Sequence, residues 1–289
     1  MNGLLIVNKE EGYTSRDIVN IVSKKLKTNK VGHTGTLDPL ATGVLVVAIG
    51  DALKLVDQLT SDNKEYIATV QLGILTDTLD VTGNILEETT DINVTKEKTI
   101  EVLNSFLGKS IQKVPIYSAV RVNGKRLYEY AREGLEVEIP KREIEIFDIE
   151  LLDISGNQFT FRVNVSKGTY IRSLIRDIGI KLGVHCSMKK LNRIKQGDFF
   201  IENSYTLNEI NNDKYTLIPV VECLNEFEVI KVDKFLESKI LNGRILENRY
   251  YNDNIAFINN DNNLLALYKI YDKDPEKIKP MKVLNKNKI

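Results

Sequence analysis

The chain has 289 residues, with 40 Lys+Arg against 40 Asp+Glu, 42% hydrophobic and 28% charged content. That make-up excludes a disordered or collagen-like chain and allows one large domain with a smaller one. No apolar run nears the ~20 residues of a membrane span, residues 1–8 lack a basic leader, and Cys186 and Cys223 sit far apart without metal-type spacing, so a cytoplasmic protein with free thiols, no metal and no membrane contact is expected.

In chain order, the apolar run 4–7 predicts a strand. Thr14 or Ser15 can cap a helix whose apolar stripe is Ile18, Val22 and Leu26. A Gly-rich loop at 32–43 leads into a strand at 44–49, and 51–59 reads as a short helix. Residues 66–72 alternate as a half-buried strand does. The spacing then predicts a helix over 95–107 stopped by Gly108, a turn at Asn123-Gly124, and a short helix over 126–133 stopped by Gly134. A strand charged on one face follows at 136–154, then a half-buried strand at 159–165. Lys167-Gly168 breaks it, and Thr169 is positioned to cap a helix that buries Ile171, Leu174, Ile175, Ile178 and Leu182 and ends at Gly183. The order of elements predicts an α+β fold with a mixed, mainly antiparallel sheet. Near residue 225 the texture turns Asn-rich: a strand at 228–232, a helix at 234–241 and short β pieces at 255–258 and 264–270 predict a small β-rich module. The expected division is 1–225 and 226–289.

The loop at 32–43 reads Gly-His-Thr-Gly-Thr-Leu-Asp-Pro-Leu-Ala-Thr-Gly. Pro39 biases Asp38 toward extended backbone, and the flanking glycines permit tight local geometry, so Asp38 is displayed on a stiff loop tied to a strand. A functional carboxylate and ordinary Asp-Pro turn chemistry both fit. A phosphate cradle fits poorly, because the lysine ending and the dinucleotide glycine spacing are both missing. Charge is unevenly placed: residues 159–200 hold nine Lys/Arg and two acids, and residues 129–157 hold nine acids and three bases. Such segregation can give a cationic face to a neutral protein, and unconnected solvated charges fit as well.

The loop resembles the signature of the bacterial TruB family of tRNA pseudouridine synthases, and further segments resemble that family in the same order. These are 4–9 with Gly12-Tyr13-Thr14-Ser15; Lys64-Glu65-Tyr66 through Gly73, with Thr76-Asp77-Thr78-Leu79-Asp80; 115–134 with Tyr117-Ser118-Ala119; 166–174 with Asp177 and Gly179; and Leu191-Asn192-Arg193. The resemblance runs over about residues 3–222. Three positions depart from the family pattern: Glu10 and Val114 stand in place of prolines and Asn192 in place of arginine. None lies in the carboxylate loop.

The resemblance implies a pseudouridine-synthase-like catalytic domain, with a T-arm-binding insertion around 74–110, and a PUA-like RNA-binding module at 226–289 that grips the acceptor end of tRNA. It implies isomerisation of the T-loop uridine, position 55 in tRNA numbering, by a monomer without cofactor. The base is flipped out, the N1–C1′ bond breaks, and the uracil rejoins through C5. Asp38 takes the role of nucleophile or charge stabiliser at C1′, and Arg172 pairs with it. Tyr66 stacks on the uracil and is a candidate for proton removal. Tyr170 and Leu191 shape the base pocket, and His33 lies against nucleotides beside the flipped base. Lys9 supports the site or binds a phosphate, and the basic stretch 159–200 faces the tRNA backbone. A tRNA-binding folding helper with secondary chemistry, or a related synthase with a different RNA target, is the alternative.

Overall fold

The two apolar runs near the N-terminus form β1 (Gly3–Lys9) and β3 (Thr42–Ile49), which pair antiparallel with Leu5 opposite Val47. Leu5, Val7, Leu45 and Val47 face one hydrophobic core, while Leu4, Ile6, Val44, Val46 and Ala48 face another. Burial on both faces explains why these segments read as unbroken apolar runs rather than as alternation. The computed structural model describes residues 2–56 and 63–284.

The main sheet has nine strands. Its path runs from β1 and β3 to β12 (Cys186–Gln196), β4 (Lys64–Leu72), β11 (Gln158–Val165), β10 (Lys141–Ser155) and β7 (Gly108–Lys113). β2 (Val31–His33) pairs with β3, and β13 (Phe199–Phe200) pairs with β12. Every adjacent pair is antiparallel except β3 with β12, which meet in parallel only at Thr42–Asn192 and Gly43–Arg193. Three helices cover the first core: α1 (Ser15–Leu26), α2 (Lys96–Asn104) and α4 (Ile171–Leu182), through Ile18, Val22, Val102, Leu174, Ile175 and Ile178. Two hairpins, β5–β6 (Ile74–Thr76, Ile85–Glu88) and β8–β9 (Arg121–Val122, Lys125–Arg126), project from the sheet, and α3 (Leu127–Glu133) follows the second. After α5 (Leu207–Asn211), a second sheet of five strands runs in the order β14 (Glu228–Lys231), β16 (Asn254–Ile258), β17 (Leu264–Tyr271), β18 (Asp274–Val283), β15 (Leu246–Glu247), with α6 (Lys234–Leu241) packed on it.

Local chemistry accounts for the boundaries. Thr14 Oγ1 accepts from the Asp17 amide at 3.1 Å while Asp17 Oδ2 accepts from the Thr14 amide at 2.8 Å, a reciprocal cap on α1. Asn123 and Gly124 both take positive φ, 51° and 82°, as the tight β8–β9 turn requires. Gly134 and Gly183 end α3 and α4 in left-handed conformation.

Several expectations need correction. The helix expected at 51–59 is a 3-10 turn over Gly50–Leu55, and residues 57–59 lie outside the described residues. α2 ends at Asn104, and Gly108 opens β7 instead of stopping a helix. β10 begins at Lys141, not 136, because its ladder with β7 starts at the Lys113–Lys141 pair and the prolines Pro115 and Pro140 lie just beyond it. The N-cap of α4 is Tyr170 rather than Thr169. Strands formed where the sequence suggested none, among them β7, β12, β18 and the β5–β6 pair. Among the described residues, no helix is long and apolar enough to cross a membrane.

Candidate active site

Asp38 sits in the loop between β2 and β3, and buried groups fix that loop from below. Ser15 Oγ accepts from the Leu37 amide at 2.8 Å and donates to the Leu37 carbonyl at 3.1 Å. Arg193, 1% exposed, donates from Nε to the Val44 carbonyl at 2.7 Å and from Nη2 to the Gly35 carbonyl at 3.0 Å. Gln196 Nε2 donates to Thr34 Oγ1 at 2.6 Å. Lys9 is fully buried, and its Nζ donates to the carbonyls of Tyr13 at 2.6 Å, Glu10 at 3.0 Å and Pro39 at 3.3 Å. Burial pushes the Lys9 ammonium down to about 8, against the opposing pull of Asp38.

Arg172 enters from the first turn of α4. Its Nε lies 2.8 Å from Asp38 Oδ2. Nη1 donates to the Thr78 carbonyl at 2.9 Å and Nη2 to the Tyr117 carbonyl at 3.0 Å. One guanidinium thus joins the carboxylate loop to the 76–83 and 115–120 segments. The start of α4 is in turn held by Gln112 on β7, whose Oε1 accepts from the Tyr170 amide at 2.8 Å and whose Nε2 donates to the Tyr170 carbonyl at 3.1 Å.

Asp38 and Arg172 open onto a cavity of about 270 Å³, walled by Tyr66 from β4, Leu191 from β12, and Tyr170 and Ile171 at the head of α4. Tyr66 lies beside Arg193 in the β4–β12 ladder, so the strand register sets its place. The lining combines polar groups with aromatic and aliphatic surface, a mixture suited to a planar base attached to a sugar. A larger hollow of about 680 Å³ runs along residues 130–139, and its walls include none of these side chains.

Five of the seven candidate residues, Asp38, Tyr66, Tyr170, Arg172 and Leu191, therefore share one cavity. Lys9 and His33 do not line it. Lys9 lies beneath the loop with its donors engaged by backbone carbonyls. His33 ends β2, with Nδ1 buried and unpartnered among the described residues. Burial, reinforced by Arg16 and Arg193, lowers its imidazole below the usual value and keeps it neutral. Ser15, Gln112, Ser118 and Gln196 were not singled out as site residues from sequence. The contacts of Ser15, Gln112 and Gln196 reach across 22 to 162 residues of chain and leave no local pattern.

Of the lysines and arginines at 159–200 expected to face the tRNA backbone, all four arginines have protein partners. Arg172 and Arg193 are buried, Arg162 is ion-paired with Glu65, Asp148 and Glu150, and Arg176 with Asp177.

Residues 23–171 match the TruB family pseudouridylate synthase N-terminal domain. The chain is 42% identical to tRNA pseudouridine synthase B of Clostridium tetani, over 93% of this chain and 92% of that one. It is 43% identical to the protein of the same name from Oceanobacillus iheyensis, over 98% and 97%. Among solved structures, a chain of an H/ACA RNP bound to a substrate RNA containing 2′-deoxyuridine aligns over 98% of this chain and 85% of its own, with a TM-score of 0.70 at 26% identity. A chain of a Cbf5-Nop10-Gar1 complex aligns to the same extent, with a TM-score of 0.70 at 28% identity. With residues 23–171 matched by the family model and the curated relatives aligned over nearly the whole length, the chain belongs to the TruB family of pseudouridylate synthases.

Proposed function

We propose that the protein converts the T-loop uridine of tRNA, position 55, to pseudouridine. The observation that carries this reading is the Asp38–Arg172 pair, 2.8 Å apart, on the wall of a cavity that also presents Tyr66 and Leu191. Arg172 engages Oδ2 of Asp38, and no protein donor among the described residues holds Oδ1, which faces the sugar carbon C1′ in the reaction. Asp38 attacks C1′ or stabilises the positive charge there as the N1–C1′ bond breaks. The freed uracil turns and forms the C5–C1′ bond, and the proton on C5 leaves.

The uridine reaches Asp38 only by leaving its stack, at a cost of a few kcal/mol. Stacking on an aromatic ring returns about 1–3 kcal/mol, which is the task assigned to Tyr66, with Tyr170 and Leu191 confining the base. His33, neutral and at the end of β2, lies against the neighbouring nucleotides. Lys9 acts as a positioning residue that holds the Pro39 carbonyl, not as a phosphate contact. The segment around 74–110 meets the T-arm, the five-stranded module grips the acceptor end, and the enzyme works as a cytoplasmic monomer.

The test uses a T-arm stem-loop labelled with tritium at C5 of uridine. Release by wild type and none by Asp38→Asn, at equal RNA occupancy, is the expected result. Tight binding without release by either protein would overturn the reading in favour of an RNA-binding protein.

A further inference from the structure

Ser118 is 6% exposed, and its Oγ is fully buried with no hydrogen-bond partner among the described residues. It lies in the wall of the cavity that holds Asp38 and Arg172. Its backbone is not free to adjust: the amide donates to the Ile116 carbonyl at 2.9 Å, and its own carbonyl accepts from the Tyr128 amide at 3.1 Å. The preceding carbonyl, of Tyr117, accepts from the Arg172 guanidinium that also holds Asp38. A buried hydroxyl without a partner is uncommon because it forfeits its hydrogen bonds to water. Here it lies in the lining of the cavity that holds the reacting carboxylate.

We infer, on the substrate reading proposed above, that the Ser118 hydroxyl hydrogen-bonds the 2′-hydroxyl of the flipped nucleotide. The cavity divides by chemistry. Tyr66, Tyr170 and Leu191 offer flat or aliphatic surface to the base. The anionic phosphates suit a cationic side chain such as Lys167, an exposed residue of the same cavity. Asp38 must face C1′, and the 2′-hydroxyl is carried by the adjoining carbon. Ser118 is joined to Asp38 through Tyr117 and one guanidinium, and it is a neutral group that both donates and accepts, as a sugar hydroxyl does. The 2′-hydroxyl is the group by which a protein tells RNA from DNA, so Ser118 becomes the determinant of that choice at the target nucleotide.

The experiment is a double-mutant cycle with two stem-loops that differ only in uridine or 2′-deoxyuridine at the target. Affinity is measured in the Asp38→Asn background, with and without Ser118→Ala, and turnover in the Asp38 proteins. One neutral hydrogen bond is worth roughly 3- to 10-fold in affinity. Ser118→Ala is expected to weaken the ribose substrate by that factor and to leave the deoxy substrate unchanged. Ser118→Thr, which keeps a hydroxyl, is expected to retain the preference for ribose. Equal losses on both substrates would overturn the assignment. So would a preference for ribose that survives Ser118→Ala. Wild-type turnover of the uridine stem-loop separates the two levels: active wild type with additive losses sinks the Ser118 assignment alone, whereas inactive wild type sinks it together with the substrate reading.

Discussion

Replacing Arg172 by methionine isolates what the guanidinium does. Methionine fills much of the volume but donates nothing, so three acceptors lose a partner: Asp38 Oδ2 and the carbonyls of Thr78 and Tyr117. Removing one member of a fully buried ion pair costs about 3–5 kcal/mol. The Arg172 side chain is 6% exposed but that of Asp38 is 34% exposed, so water recovers part of the loss and about 1–2 kcal/mol is the fitting share. Each orphaned carbonyl adds roughly 1 kcal/mol. The expected loss of stability is therefore about 3–4 kcal/mol. The rate suffers differently, because a carboxylate displaced by ~1 Å loses about a hundredfold in an oriented reaction. Single-turnover tritium release at saturating enzyme should fall about 10²- to 10³-fold, with RNA affinity held within about threefold. Arg172→Lys should recover less than about tenfold, since one ammonium is a compact charge that cannot span three divergent acceptors as a planar fork does. A folded Arg172→Met protein turning over within about fivefold of wild type would refute the argument that this guanidinium sets the working geometry of Asp38.

Lys9 and Gly43 supply two further predictions. Below about pH 8 the charged Lys9 Nζ can donate to all three of its carbonyls, and above it the neutral amine has one donor fewer. Turnover by wild type should therefore fall above about pH 8, while Lys9→Met, slower overall, loses that feature from its pH profile. Because the folded value lies below the usual 10.5, the unfolded chain binds more protons between about 8 and 10.5. The stability of wild type relative to Lys9→Met should accordingly rise with pH across that window in denaturant melts; a fall there would contradict the assignment. Gly43 has φ +99°, and a Cβ would lie 2.3 Å from the Arg193 carbonyl oxygen. Gly43→Ala should cost at least ~2 kcal/mol and lower the melting temperature by roughly 5 °C or more, and an unchanged melt would refute the close approach of β3 to β12.

How much of this could be read from sequence follows from the range of each interaction. The cap at the start of α1, the Asn123-Gly124 turn and the apolar runs that become β1 and β3 are fixed by neighbours in the chain, and they are visible there. β12 was invisible for a physical reason. Its ladder with β4 carries register shifts at Met188/Lys190 and Arg193/Lys195, so its buried residues Cys186, Ser187, Met188, Leu191, Arg193 and Gln196 fall at irregular spacing. Three of those six, Ser187, Arg193 and Gln196, are polar, and the lysines between them resemble a solvated loop. β18 was hidden by its charged opening and its two prolines, Pro275 and Pro280. In the site, Asp38 stood out because its loop chemistry is local, whereas Arg172 was paired with it only through resemblance. The clamp from Gln112 to Tyr170 spans 58 residues and had no sequence signal.

The five-stranded module bears on the same point, because composition marks where it begins but not how it is attached. Val220, Leu224, Ala256, Leu267 and Leu284 share a core with Leu4, Ile6, Val44, Val46 and Ala48, the second face of β1 and β3. Lys54 Nζ adds a 2.6 Å hydrogen bond to the Leu284 carbonyl. The strands beneath this contact are also those that set the site: β1 ends in Lys9, and β3 begins where the Asp38 loop ends. At Gly43, which pairs with Lys9 of β1, β3 also meets Arg193 of β12, the strand that brings Leu191 to the cavity. The module and the cavity are therefore connected through a packed β-strand rather than a hinge. The spacing of module and cavity follows from the pairing register of β1, β3 and β12, since a side chain that alternates toward the module on one face of β3 has neighbours that support the helices and the site on the other.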